Sequence, residues 1–81
     1  MNIENLKKAR EKAGLTQAQA AIAIGVSDGT YKNYEQGKRE PNGDKMVTIA
    51  NLFGVTTDYL LGREPAPDDP IEMLSRELNL N

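Results

Sequence analysis

Residues 16–35 read TQAQAAIAIGVSDGTYKNYE, and this stretch predicts two short helices joined by a tight turn. Thr16 is a suitable N-cap for the first helix, and Gln19 three residues later completes a capping box. Gly25 is able to adopt the left-handed backbone that ends a helix. Ser27 then caps the second helix. The segment is therefore a pair of capped helices that meet at a short turn containing glycine.

Such a pair is the helix-turn-helix unit, whose second helix enters the major groove of DNA. Ala21 is small where the two helices approach each other, and Val26 is apolar inside the turn. The segment therefore predicts a role in DNA binding.

The composition of the 81-residue chain excludes several classes of function. The length allows one domain with a modest core. The chain contains no cysteine and no histidine, so it lacks the commonest nucleophiles, general bases and zinc ligands. We therefore predict that the protein is not an enzyme and that it has no cofactor, no bound metal and no small-molecule substrate.

The sequence also predicts a cytoplasmic protein without membrane contacts. The longest apolar run, Ala20–Ile24, is far too short to span a bilayer. Residues 1–10 lack the apolar core of a secretory signal.

The net charge of −2 is distributed unevenly. Residues 1–62 carry eight basic and seven acidic side chains, whereas residues 63–81 carry two basic and five acidic ones. The first part is close to neutral, so its non-specific affinity for phosphate is expected to be weak. Recognition of DNA would then depend on a few well-placed cations.

Periodicity and capping signals predict an all-α domain of five helices over residues 1–62. The first helix is expected to bury a stripe that includes Leu6, Ala9 and Ala13. The predicted helices are residues 3–12, the pair described above, residues 42–53 capped by Asn42, and residues 57–61 capped by Thr56.

The last part of the chain changes character. Residues 63–70, REPAPDDP, are rich in proline and acidic residues and predict a stiff linker. Residues 71–81 place Ile71, Leu74 and Leu78 on one face of an amphipathic helix. This helix either folds back on the domain, pairs with a second copy, or begins a larger domain.

The span from Leu6 to Gly62 resembles the Cro/CI-type (XRE) family of phage and bacterial regulators. The motifs that carry the resemblance are LKKAREKAGLTQ at 6–17, AxxxGVS at 21–27, YE-GKREP at 34–41 and LFGVTTDYLLG at 52–62. The resemblance implies a five-helix lambda-repressor-like domain and a homodimer that binds double-stranded DNA. The usual outcome in the family is transcriptional repression from an operator of two half-sites, about 34 Å apart.

The resemblance also assigns phosphate contacts. Gln17 would bond a phosphate from the first turn of its helix, or else be a solvent-facing helix former. Lys38 and Arg39 follow Gly37 in a loop where the family contacts phosphates, although a plain surface basic pair is the alternative. Tyr34 is expected to pack its ring inward and extend its hydroxyl to a phosphate.

The third helix is expected to turn its outward positions to the bases; these are Ser27, Asp28, Gly29, Lys32 and Asn33. Asn33 can pair with adenine through two hydrogen bonds, and Lys32 suits guanine or phosphate unless it lies on a solvated face. Asp28 either accepts a hydrogen bond from cytosine or only complements the helix dipole. Gly29 either allows close approach of backbone to DNA or marks a late helix start.

Other residues are interpreted as structural. The resemblance implies a largely buried ion pair between Arg10 and Glu35, which we expect as a direct contact. Ala20 and Tyr31 replace the usual leucine and isoleucine, so they are expected to compensate for each other's volume in one core. Ile22 is either an isolated exposed side chain or part of a contact surface.

The resemblance and the motifs together predict a sequence-specific DNA-binding transcriptional regulator, most simply a repressor. The alternative is a protein-interaction module of the same fold without DNA binding, which the near-neutral charge of residues 1–62 allows.

Overall fold

The computed structural model describes residues 1–65, which form five α-helices and no strand. The prediction of an all-α fold is confirmed. The predicted C-terminal helix and most of the predicted linker lie outside the described residues. The helices are α1 (Ile3–Lys12), α2 (Gln17–Ile24), α3 (Asp28–Gln36), α4 (Gly43–Phe53) and α5 (Thr57–Leu60).

Every one of these helices begins at a polar side chain that accepts a hydrogen bond from a backbone N–H three residues later, which satisfies one free donor of the first turn. At Thr16 the capping box is complete: Thr16 accepts from the backbone of Gln19 at 3.1 Å, and the Gln19 side chain accepts from the backbone of Thr16 at 2.9 Å. The five caps are Asn2, Thr16, Ser27, Asn42 and Thr56.

One hydrophobic core joins all five helices. Helix α1 packs against α3, α4 and α5, and α2 packs against α3 and α4. Ala20 and Tyr31 both lie in this core and both are 0% exposed, so the structure places them together as the sequence analysis expected. The largest fully buried side chains are Tyr31, Leu6, Ile49 and Leu60.

Ala13 departs from the predicted buried face of α1, whereas Ile22 is exposed as expected. Ala13 is exposed, so its place on the buried stripe of α1 is wrong; the helix ends at Lys12 and Ala13 is already its C-cap. Ile22, on α2, is 81% exposed and contributes nothing to the core.

Helix α5 packs against α1, and two carbonyl groups of α5 accept hydrogen bonds from residues at the start of α1. The backbone N–H of Asn2 donates to Leu60 O at 2.8 Å, and the Asn5 amide donates to Tyr59 O at 2.8 Å. Ordered contacts continue past α5, because Arg63 donates through its backbone to Asp58 O at 2.8 Å and the Thr56 hydroxyl donates to Glu64. Arg63 and Glu64, the first two residues of the predicted linker, therefore contact residues at the start of α5. None of the helices within residues 1–65 has the length and apolar character needed to cross a membrane.

Two glycines of the helix-turn-helix predict opposite effects of substitution by alanine. Gly25 ends α2 with φ of +86°, a conformation that costs other residues about 1–2 kcal/mol. Gly29 lies inside α3, and nothing lies within 4 Å of an added Cβ. We expect Gly25→Ala to lower the free energy of unfolding by about 1 kcal/mol or more, and Gly29→Ala to raise it by about 0.5–1 kcal/mol. Urea denaturation measures both, and a destabilised Gly29→Ala protein would contradict this prediction.

Candidate nucleic-acid interface

The turn of the helix-turn-helix fixes which face of α3 is presented outward. Helix α2 ends at Gly25, and the backbone N–H of Val26 donates to Ala21 O at 3.0 Å, which closes the turn. On α3, Tyr31, Tyr34 and Glu35 are buried. The opposite face is exposed at four of the five predicted positions, namely Ser27, Asp28, Gly29 and Lys32. Asn33, the fifth, is half-buried.

Asp28 and Lys32 form an ion pair on this exposed face, with Lys32 Nζ 2.9 Å from Asp28 Oδ2. Both side chains remain about half exposed, at 50% and 49%. An exposed pair at this spacing contributes only about 0.2–0.5 kcal/mol, so it opens at little cost. Its main effect is that Asp28 and Lys32 together add no net charge to the exposed face of α3.

A polar cleft of about 460 Å³ lies between α3 and the start of α4. It brings together three of the predicted site residues: Ser27, Tyr34 and Arg39. The ring of Tyr34 is packed inward against Tyr31, edge to face at 6.1 Å between ring centroids, as expected. Five further residues line the cleft: Val26, Thr30, Glu40, Asn42 and Lys45.

Lys45 also belongs to this surface, although it was not predicted as a site residue. Its Nζ donates to Ile24 O at 3.1 Å, at the carbonyl end of α2, where a cation is favoured by the helix dipole. Lys45 therefore links α4 to the helix-turn-helix. The two predicted loop cations, Lys38 and Arg39, are exposed, and the Lys38 backbone N–H donates to Asn33 O at 3.0 Å.

Behind α3, the expected contact between Arg10 and Glu35 is present. Arg10 Nε donates to Glu35 Oε2 at 2.6 Å, and Arg10 Nη2 donates to Oε1 at 3.3 Å. Arg10 Nη1 also donates to Leu15 O at 2.9 Å. The Glu35 side chain is only 1% exposed, so this is a buried ion pair.

Two further donors converge on the same carboxylate, and neither was predicted. The Tyr31 hydroxyl donates to Glu35 Oε2 at 2.6 Å, and Gln17 Nε2 donates to Oε1 at 3.0 Å. Gln17 is half-buried, so it is not the free, solvent-facing side chain of the alternative interpretation. The first turn of α2 is thereby tied to the last turn of α3.

Glu35 accepts four hydrogen bonds, two from Arg10 and one each from Tyr31 and Gln17. These bonds shift the pKa values of the titratable groups in this cluster. Burial by itself raises the pKa of Glu35, but the hydrogen bonds from Arg10, Tyr31 and Gln17 outweigh it and hold the pKa below its ordinary value. The hydrogen bonds that Arg10 donates to Glu35 raise the pKa of Arg10. Burial and the bond to Glu35 raise the pKa of Tyr31. At neutral pH the cluster is therefore a carboxylate, a guanidinium and a neutral phenol.

Comparison with known proteins identifies the family. The helix-turn-helix family HTH_3 matches residues 6–60. The chain belongs to this family. The match confirms the resemblance to Cro/CI-type regulators that the motifs indicated.

The chain is similar to two curated relatives and to one solved structure. The HTH-type transcriptional regulator ImmR of Bacillus subtilis is 38% identical over 77 residues, covering 94% of this chain and 61% of ImmR. The cryptic phage CTXphi transcriptional repressor RstR of Vibrio cholerae is 38% identical over 73 residues, covering 90% and 64%. The chain thus spans less than two thirds of these relatives.

The solved structure is the DNA-binding domain of the P22 C2 repressor. Its TM-score is 0.68 at 29% sequence identity, and the match covers 73% of this chain and 78% of that domain. The five-helix repressor-like fold is therefore confirmed by an experimental neighbour.

The buried carboxylate predicts an acid-dependent loss of stability. Because the pKa of Glu35 is lower in the folded state than its ordinary value of 4.5, its stabilisation is complete above that value and is lost as pH falls through the folded pKa. We expect Glu35→Gln to cost about 3–5 kcal/mol at neutral pH, because it leaves Arg10 without its charged partner.

The cost of Glu35→Gln should shrink as pH falls below the ordinary glutamate pKa of 4.5. Urea denaturation across this range measures it. Glu4→Gln, at an exposed carboxylate in the first turn of α1, is the matched control and should change stability little. A cost that stays constant with pH would contradict the assignment.

Proposed function

We propose that this protein is a sequence-specific DNA-binding transcriptional regulator that acts as a repressor. The observation that carries the proposal is the exposed face of α3, which projects beside the cleft lined by Arg39 and Lys45. Similarity to RstR, named as a transcriptional repressor, and to the DNA-binding domain of the P22 C2 repressor supports it.

In the proposed complex, α3 lies in the major groove and its exposed face approaches the base edges. Asn33 is the candidate for a bidentate contact to adenine, and Lys32 for a contact to guanine or phosphate. Ser27 and Gly29, at the start of α3, are small enough to let the helix backbone approach closely.

The proposed phosphate contacts flank the groove. Lys38 and Arg39 are exposed on the loop after α3, and Tyr34 lines the adjoining cleft. Gln17 begins α2, where free backbone N–H groups favour an anion. These contacts would set the register of the protein on DNA without reading sequence.

We further propose that two copies bind one operator. A two-fold arrangement of two such domains would read half-sites about 34 Å apart. The place of action would be the cytoplasm, where bacterial relatives meet their DNA.

The proposal predicts specific, salt-dependent DNA binding. Selection from a randomised duplex library should enrich a sequence with two related half-sites, and its affinity should fall steeply as salt is raised. Fluorescence anisotropy of the enriched duplex measures this. Absence of any binding at low salt would contradict the proposal and favour the protein-interaction module.

Two variants separate the proposed contact types in this experiment. Asn33→Ala should relax the preference at one base pair of each half-site by about 1–3 kcal/mol. Arg39→Ala should weaken all sequences similarly and reduce the salt slope by about 1 for each phosphate that is no longer neutralised. If Arg39→Ala altered sequence preference instead, its role as a phosphate-binding residue would be wrong.

The ion pair between Asp28 and Lys32 predicts how DNA affinity changes when the negative charge of Asp28 is removed. Asp28→Asn keeps the size of the side chain, frees Lys32 and removes a charge near phosphate. We expect tighter binding to every duplex, specific or not, with a salt slope steeper by about 1. Lys32→Gln is the matched control and should weaken binding. If Asp28→Asn instead lost a preference for cytosine at one position, Asp28 would be a base-reading residue.

A further inference from the structure

We infer that Glu35 is a positioning residue for DNA binding, because its buried carboxylate holds the side-chain amide of Gln17 in the orientation that donates to a backbone phosphate. The inference rests on the proposed function and adds a coupling to it. The ion pair inside the domain would support a contact made at its surface.

The contact that carries the inference crosses the helix-turn-helix. Gln17 is the first residue of α2 and Glu35 the last but one of α3. Their hydrogen bond, from Gln17 Nε2 to Glu35 Oε1 at 3.0 Å, joins side chains 18 positions apart in the sequence. Gln17 is half-buried and its bond to Glu35 is only partly buried, so the residue keeps part of its surface exposed to solvent.

The chemistry of the two groups decides which end of the amide faces the carboxylate. An ionised carboxylate only accepts hydrogen bonds, so the nitrogen of Gln17 must face Glu35. That nitrogen carries a second hydrogen. A phosphate oxygen also only accepts, so the same nitrogen is able to bridge the carboxylate and a phosphate. If the amide were turned around, its oxygen would face both acceptors and bond neither.

The carboxylate is itself immobilised. Arg10 donates to both of its oxygens through two nitrogens. The Tyr31 hydroxyl donates to Oε2, whereas Gln17 donates to Oε1. Since the Glu35 side chain is 1% exposed and has donors from three residues, it offers a fixed anchor. Gln17 is therefore ordered before DNA arrives, and less side-chain entropy is lost on binding.

A double-mutant cycle on DNA affinity tests the coupling. The probe is the duplex enriched by the wild-type protein, and the proteins are wild type, Gln17→Ala, Glu35→Gln and the double variant. We expect each single change to weaken binding about fivefold and the double variant to be no weaker than Glu35→Gln alone. Additive losses would overturn the inference. Asn51→Ala, at an exposed amide side chain on α4 and outside the proposed interface, is the matched control and should bind as the wild type does.

A second measurement uses the wild-type protein and so does not depend on whether Glu35→Gln folds. Relaxation of the side-chain ¹⁵N amides should show Gln17 as rigid without DNA, and Gln36, which is exposed on α3, as mobile. A Gln17 amide as mobile as that of Gln36 would overturn the inference even if DNA binding is observed. If the wild type enriches no duplex, the proposed function and the inference both fail; binding with additive losses removes the inference alone.

Discussion

The carboxylate of Glu35 is the group on which the arrangement of the first three helices depends. A buried charge costs several kcal/mol unless it is paired and hydrogen-bonded. Its donors come from α1 through Arg10, from the first residue of α2 through Gln17, and from α3 itself through Tyr31. All three helices must therefore reach one relative position before the charge is satisfied, which favours that packing over its alternatives.

The helices were predictable because their ends are encoded locally. A capping side chain and the N–H it accepts from are three residues apart. Thr16 and Gln19 therefore indicate the start of α2 within a single turn. The left-handed glycines are equally local, as Gly25 illustrates. The pair of Arg10 and Glu35 was also anticipated, but from the family resemblance and not from spacing, since 25 positions separate the two residues.

Some of the contacts that were not predicted join segments that lie far apart in the sequence and meet only after folding, and one is local. Lys45 bonds the carbonyl of Ile24, 21 positions away, and nothing near Lys45 in the sequence indicates that partner. The bond of Tyr31 to Glu35 spans a single helical turn, yet a tyrosine in this position was interpreted by its volume alone. Its hydroxyl contributes to the structure because Glu35 is buried and its carboxylate needs hydrogen-bond donors in place of water.

The residues of α3 that hold the fold and those proposed to contact DNA lie on opposite sides of the helix. Tyr31, Tyr34 and Glu35 face inward, where each change in volume or charge is felt by the core. Asp28 and Lys32 face outward, and their ion pair stabilises the helix by only a few tenths of a kcal/mol. The outward residues are therefore free to vary without loss of the fold. For that reason the motifs of the scaffold identify the family, whereas any base sequence that α3 is proposed to recognise must be determined with DNA.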